Sequence, residues 1–195
     1  MIAGHFGFAA IVKSRETKVQ LWSLMLATVW LDIVFIPLFV MKIETAKPVP
    51  GLPGGYGENI IYADYTHSLL GALALSAVFA LIFGPLWGKR CAIVLGLVSF
   101  SHWMLDLIVH RHDMPLLPGN LGHLPRLGFG LWQFKTVSAL MELLLVILGA
   151  WCYWRAASAV TTEAQRGRTR AIVAAVLILL CGVTVLVLDV TATLG

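Results

Sequence analysis

The chain has 195 residues, 59% of them hydrophobic and only 12% charged, with a formal net charge of +4. A soluble domain carries about a quarter charged residues, so the composition excludes an ordinary soluble protein and points to a polytopic membrane protein. The basic residues sit in short segments between apolar runs, a pattern that sets topology and meets lipid headgroups. No nucleic-acid partner is expected.

The opening stretch MIAGHFGFAAIVK has no basic segment ahead of its apolar residues and holds His5, so it does not read as a removable signal peptide. At about 12 residues it is too short to span a bilayer and reads as a re-entrant or interfacial helix. Five longer apolar segments follow, at about 20–41, 65–87, 91–110, 136–154 and 171–192, each near the roughly 20 residues of a spanning helix. The loop 42–63 is rich in Pro and Gly and cannot be a regular helix. The loop 111–135 is also Pro/Gly-rich but too apolar to be freely solvated, so it is expected to lie over the bundle mouth. The linker 155–170 is polar and basic, and Cys91, Cys152 and Cys181 have no CxxC spacing and read as free thiols. The expected fold is all-α: one transmembrane domain over 1–195, a polytopic membrane helix bundle of about five spans plus the short N-terminal helix.

Positive charge orients such a chain. With the N-terminus cytoplasmic, the inner segments hold nine of the fourteen Lys and Arg residues, among them Lys13, Arg15, Lys89, Arg90 and Arg170. Lys42, Lys47, Arg111, Arg126 and Lys135 lie outside, with both Pro/Gly loops.

Ionisable side chains inside membrane helices are costly and by default mark function. Asp32, His67, His102, Asp106, His110, Glu142 and Asp189 all fall in or at the ends of apolar segments. His102, Asp106 and His110 are spaced i, i+4, i+8 and form one stripe within about 80° of a helix surface. Asp64 and His67 share a face at i, i+3. Histidine–carboxylate pairs on neighbouring helices can converge in a bundle as they do in di-metal carboxylate proteins. Imidazole with carboxylate suits Zn, Mn or Fe. His5 can join only if residues 1–12 fold back into the membrane. Asp189 reads as a pairing or snorkelling residue near a helix end, His123 as solvated, and His112 and Asp113 as shaping the turn into MPLLPG. Trp132 stands apart from the aromatic belt because it lies at the rim of the expected site.

GHFG at 4–7, LD at 31–32, DYTHSLL at 64–70, SHWMLDLIVHRHDMPL at 101–116 and GFGLW at 128–132 resemble, in this order, a family of small bacterial integral membrane proteins labelled membrane-bound metal-dependent hydrolases or permeases. That family is loosely similar to the zinc-dependent phospholipase C and nuclease superfamily. The resemblance covers about residues 1–150, and the last helix carries no matching motif. His112 departs from it, standing where proline is usual. The resemblance implies that His5, Asp32, His67, His102, Asp106, His110 and Glu142 occupy the family's recurrent polar positions.

The expectation is therefore a hydrolase of the bacterial inner membrane, acting at the outer face on a lipid-like ester or phosphoester. His67, His102, Asp106 and His110 would hold a divalent metal, zinc before manganese or iron, with Asp32 and His5 as further ligands or supports. Glu142 or Asp64 would be the base, and Arg111, Arg126 and Trp132 would contact a membrane-lipid or other small-molecule substrate. The same residues admit a proton- or cation-coupled transporter, a haem protein with His67 and His102 as axial ligands, or a small accessory subunit. Assembly into a homo-oligomer or a larger membrane complex is left open by the sequence.

Overall fold

The structure, a computed structural model, describes residues 1–83, 86–160 and 165–191. Parts of the expected second span (84–85), of the polar linker (161–164) and the end of the last span (192) lie outside the described residues.

Among the described residues seven α-helices make the bundle: α1 (Ile2–Arg15), α2 (Leu21–Thr28), α3 (Trp30–Val40), α4 (Leu69–Phe83), α5 (Lys89–Val109), α6 (Lys135–Val160) and α7 (Gln165–Thr191). The loop expected over 42–63 contains a short antiparallel hairpin, β1 (Thr45–Pro48) and β2 (Asn59–Tyr62), closed by a turn rich in Pro and Gly. The chain is mostly helical, with this one small sheet among the described residues.

Among the described residues the count of about five spans is not confirmed. Three helices, α5, α6 and α7, are long and apolar enough to cross a membrane. A fourth crossing exists if α2 and α3, bent by 45°, are taken as one. The bend falls at Val29, where the chain leaves the helical path so that the Thr28 carbonyl can meet a histidine of α5. α4 has 15 residues, about 22 Å at 1.5 Å per residue, against a hydrocarbon core of about 30 Å. It starts later than the expected residue 65 because the Glu44 carboxylate accepts the Tyr65 and Thr66 amides and holds that stretch in a turn. The Leu69 and Leu70 amides then donate to the Pro115 and Leu116 carbonyls.

α1 lies inside the bundle, packed mainly on α6. Small residues permit this, as is usual between membrane helices. Gly7 sits so close to α6 that a Cβ there would overlap the Leu145 carbonyl, and Gly149 of α6 faces the Gly7 carbonyl. At its C-terminal end Glu16 pairs with Arg90 at 2.9 Å, so Lys13 and Arg15 share one end of the bundle with Lys89 and Arg90. The start of α1 points to the other end, where the hairpin and the 111–134 loop lie. That loop folds back on the helix ends: Met114 and Leu127 bridge, and the Phe129 and Gly130 amides donate to the Leu107 and His110 carbonyls.

Candidate metal centre and its cavity

Four of the six expected ligands, His5, His67, His102 and His110, converge on a fifth, the Asp106 carboxylate, and the sixth, Asp32, faces two of those histidines. The His5 Nε2 lies 3.1 Å from Asp106 Oδ1, and the His102 Nε2 lies 3.1 Å from Oδ2. His67 and His110 approach Oδ2 at 3.6 Å each. Asp32 Oδ1 stands 3.5 Å from both the His67 and the His102 Nε2. All but Asp32 are buried. α5 supplies His102 and Asp106 from one face, as the i, i+4 spacing requires, whereas His110 is the residue that caps the helix. Its backbone is extended, yet its ring still turns toward Asp106.

What the other ring nitrogens do decides the chemistry. The His102 Nδ1 lies 2.6 Å from the Thr28 carbonyl, which can only accept, so Nδ1 carries the proton. The His110 Nδ1 faces Asp113 Oδ1 at 3.0 Å and donates in the same way. The Thr66 hydroxyl donates to Glu44 Oε2 at 2.8 Å, so its oxygen accepts from the His67 Nδ1 at 2.9 Å. All three imidazoles thereby carry a proton on Nδ1 and turn Nε2 inward, where the neutral ring offers a lone pair. The His67 and His102 Nε2 atoms are only 3.2 Å apart. Two lone pairs at that distance repel unless a proton or a cation lies between them. Oxygen acceptors that fix Nδ1–H and free Nε2 are the usual outer support of metal-bound histidine. Two overlapping donor sets could hold an ion: His5, His102 and Asp106, and Asp32, His67 and His102. Each imidazole offers one atom and His102 is common to both, so the sets describe one centre. The buried His5 Nδ1 has no hydrogen-bond partner among the described residues.

The cluster forms the floor of a cavity of about 580 Å³ bordered by Asp32, His67, Asp106 and His110 and walled by Phe35, Ile36, Tyr56, Ile61, Trp132, Val185 and Leu188. Asp189 borders it too. The His110 and Trp132 rings lie 4.4 Å apart between centroids. Gly57, at φ +69°, packs against the Trp132 carbonyl where a Cβ would sit 2.7 Å from the oxygen, which closes the roof.

The remaining expected site residues lie elsewhere. Glu142 is fully buried and does not border the cavity. Its Oε1 accepts the Tyr56 hydroxyl at 2.8 Å and its Oε2 the Gly4 amide at 3.2 Å. Burial pushes the Tyr56 phenol above its usual range, and the Glu142 charge adds to this, so Tyr56 stays a donor. Asp64 is taken up by Arg126, whose two terminal nitrogens bind its oxygens at 2.7 and 2.9 Å. Arg126 also donates to the Asp113 carbonyl, and hydrogen bonding to Asp64 holds its guanidinium above its ordinary value. Arg111 donates to the Gly57 carbonyl at 2.9 Å and fastens the hairpin turn. Neither arginine borders the cavity; both hold its roof and rim.

Four contributors escape a reading of motifs. Thr28 acts through its carbonyl, which no side-chain pattern reveals. Glu44 and Tyr56 stand in the Pro/Gly loop, far in sequence from the residues they serve. Asp189 is in the helix that carries no motif. Asp113 is different: it lies three residues beyond His110, a spacing that could have suggested the pair.

The chain matches no known protein-family model, no curated protein and no solved structure.

Proposed function

We propose that the protein is a membrane-embedded, metal-dependent hydrolase of the bacterial inner membrane that cleaves a lipid-like ester or phosphoester. The observation that carries this reading is the set of three imidazoles whose Nδ1–H groups are committed to Thr28, Thr66 and Asp113, leaving their Nε2 atoms to converge with Asp106 and Asp32. The donor set is nitrogen and oxygen without thiolate, which suits zinc first and manganese or iron next. His67, His102, Asp106 and Asp32 would hold the ion, with His110 and His5 against Asp106. When bound, such an ion supplies Lewis acidity to a scissile carbonyl or phosphoryl group and acidifies water.

The chain's own residues supply the rest. Phe35, Ile36, Val185 and Leu188 exclude water from the floor and receive an apolar substrate. Asp189 borders the cavity outside the cluster, which makes it the better placed carboxylate to accept a proton from an attacking water. Glu142 and Asp64 are spent on Tyr56, Gly4 and Arg126. Tyr56 and Trp132 shape the wall facing the cluster. With Lys13, Arg15, Lys89 and Arg90 cytoplasmic, the cavity opens in the outer half of the membrane, and the start of α1 reaches that half as well.

The test is elemental mass spectrometry of detergent-purified protein beside a His102→Ala/Asp106→Ala variant. Near-stoichiometric zinc, manganese or iron in the parent and its loss in the variant are expected, followed by release of product from ester or phosphoester lipids. Absence of metal from a folded parent, even after reconstitution, defeats the reading. The break at Val29 favours the second reading, a proton- or cation-coupled transporter, since interrupted helices at membrane depth commonly build ion sites. In that case proteoliposome flux is expected in place of product release.

A further inference from the structure

α3 and α7 both wall the cavity, and each does so with an i, i+3, i+4 face: Asp32, Phe35 and Ile36 on α3, and Val185, Leu188 and Asp189 on α7. Yet these two helices are not packed on one another. α3 rests on α4 and α5, while α7 rests on α6 and α1. Ile36 and Leu188 border the cavity and are also 58% and 61% exposed, far more than its buried lining residues His67, Asp106, His110 and Trp132. Cavity-lining residues this exposed mark where the cavity is open. α7 is long and apolar enough to cross a membrane, and α3 is half of a bent pair that is. The opening between them therefore faces hydrocarbon, and the hairpin and its turn cover the cavity from the aqueous end with Gly55, Tyr56 and Ile61.

We infer that the gap between α3 and α7 is a lateral portal through which the acyl chain of a bilayer lipid reaches the cavity. The occupant is a lipid chain and not an aqueous solute. The gap lies at membrane depth, its two jambs are aliphatic, and it is continuous with an apolar-walled cavity whose floor holds the hydrolytic cluster. A chain lying between Ile36 and Leu188 brings the ester at its end to the His67–Asp106 floor without passing through water. The portal deepens the hydrolase reading and rests on it for the fate of the lipid; binding of the lipid is separable from its cleavage.

The test uses the full chain in palmitoyl-oleoyl phosphatidylcholine vesicles doped with a phosphatidylcholine bearing a diazirine near the end of one acyl chain. Adducts are mapped by peptide mass spectrometry. Lipids around the bundle label outward faces in any case, so the informative positions are Trp132, which is buried, and Ile61, which is half-buried and lines the cavity. Adducts at Trp132 or Ile61 are expected, and they fall at least fivefold when Ile36→Trp and Leu188→Trp fill the gap. Leu177→Trp, an equally exposed site on α7 away from the cavity, leaves them unchanged. Labelling confined to outward faces, or adducts at Trp132 that the plugging variants do not reduce, overturns the portal. Adducts without product release leave the portal standing and defeat the hydrolase; cleavage of a short-chain soluble ester with no inner adducts does the reverse.

Discussion

Replacing Glu44 by Gln tests the reasoning about the metal centre at a residue two links removed from it. In the parent, Oε1 accepts two amides, from Tyr65 at 2.7 Å and Thr66 at 2.8 Å, and Oε2 accepts the Thr66 hydroxyl. Glutamine keeps the shape and must keep its oxygen on the two amides, since its NH2 group would clash with both donors. The NH2 then faces Thr66 and donates to the hydroxyl oxygen. The hydroxyl proton turns to the His67 Nδ1, which becomes the acceptor, and the imidazole proton moves to Nε2, the atom that should bind metal. Restoring the binding tautomer would leave the Thr66 hydroxyl proton without its carboxylate acceptor in a buried site, at a cost of about 1–3 kcal/mol. That corresponds to a loss of affinity of about 5- to 150-fold, in line with the roughly 10- to 100-fold typical of removing such outer support. Competition against a chromophoric chelator, on detergent-purified protein with a thermal scan to verify folding, measures it. A folded Glu44→Gln protein whose affinity stays within about twofold of the parent would refute the tautomer argument.

Four further outcomes follow from the geometry. Gly7→Ala places a methyl against the Leu145 carbonyl and should cost about 1–3 kcal/mol by overpacking, seen as a lower Tm in detergent together with weaker metal binding as His5 shifts. Arg126→Gln leaves Asp64 half-buried without its partner and should cost about 1–2 kcal/mol of stability after allowing for solvent screening, with metal content unchanged by elemental analysis. Glu142→Gln should retain most hydrolytic activity, whereas Asp189→Asn should lose about 100-fold or more in kcat at unchanged metal content; equal losses in the two would reverse their roles. The Arg90 guanidinium beside Glu16 holds that carboxyl below its usual range. Its folded-state pKa is depressed, so its contribution is present above the ordinary carboxyl range and is lost as pH falls through the lowered value. Acid titration of thermal stability, compared between the parent and Glu16→Gln, should differ only on that acid limb.

The candidate cluster was legible where chemistry and spacing coincide. His102 and Asp106 are one helical turn apart within an apolar run, and burying both without purpose would be costly. His5 was legible only conditionally, because nothing in a 12-residue apolar stub says that it folds into the bundle. The close approach of Gly7 and Gly149 that seats α1 is a fact of packing between segments far apart in the chain. Glu142 depends on packing for the same reason: its depth in an apolar segment marks it as purposeful, but only the tertiary contacts show that it is held by Tyr56 and Gly4.

The sequence by itself determined an apolar character compatible with a membrane, the helical class and the residues of the candidate metal-binding cluster. These depend on composition and on the 3.6-residue period, which are local properties. Tertiary structure alone decided which ring nitrogens point inward, since Nδ1 of His67, His102 and His110 is engaged by Thr66, the Thr28 carbonyl and Asp113. It also decided that the apolar run 20–41 bends at Val29 and that Asp64 and Arg126 neutralise one another at the rim. A hydrogen bond is directional and short, so its partner is fixed by how segments pack and not by how they are ordered along the chain.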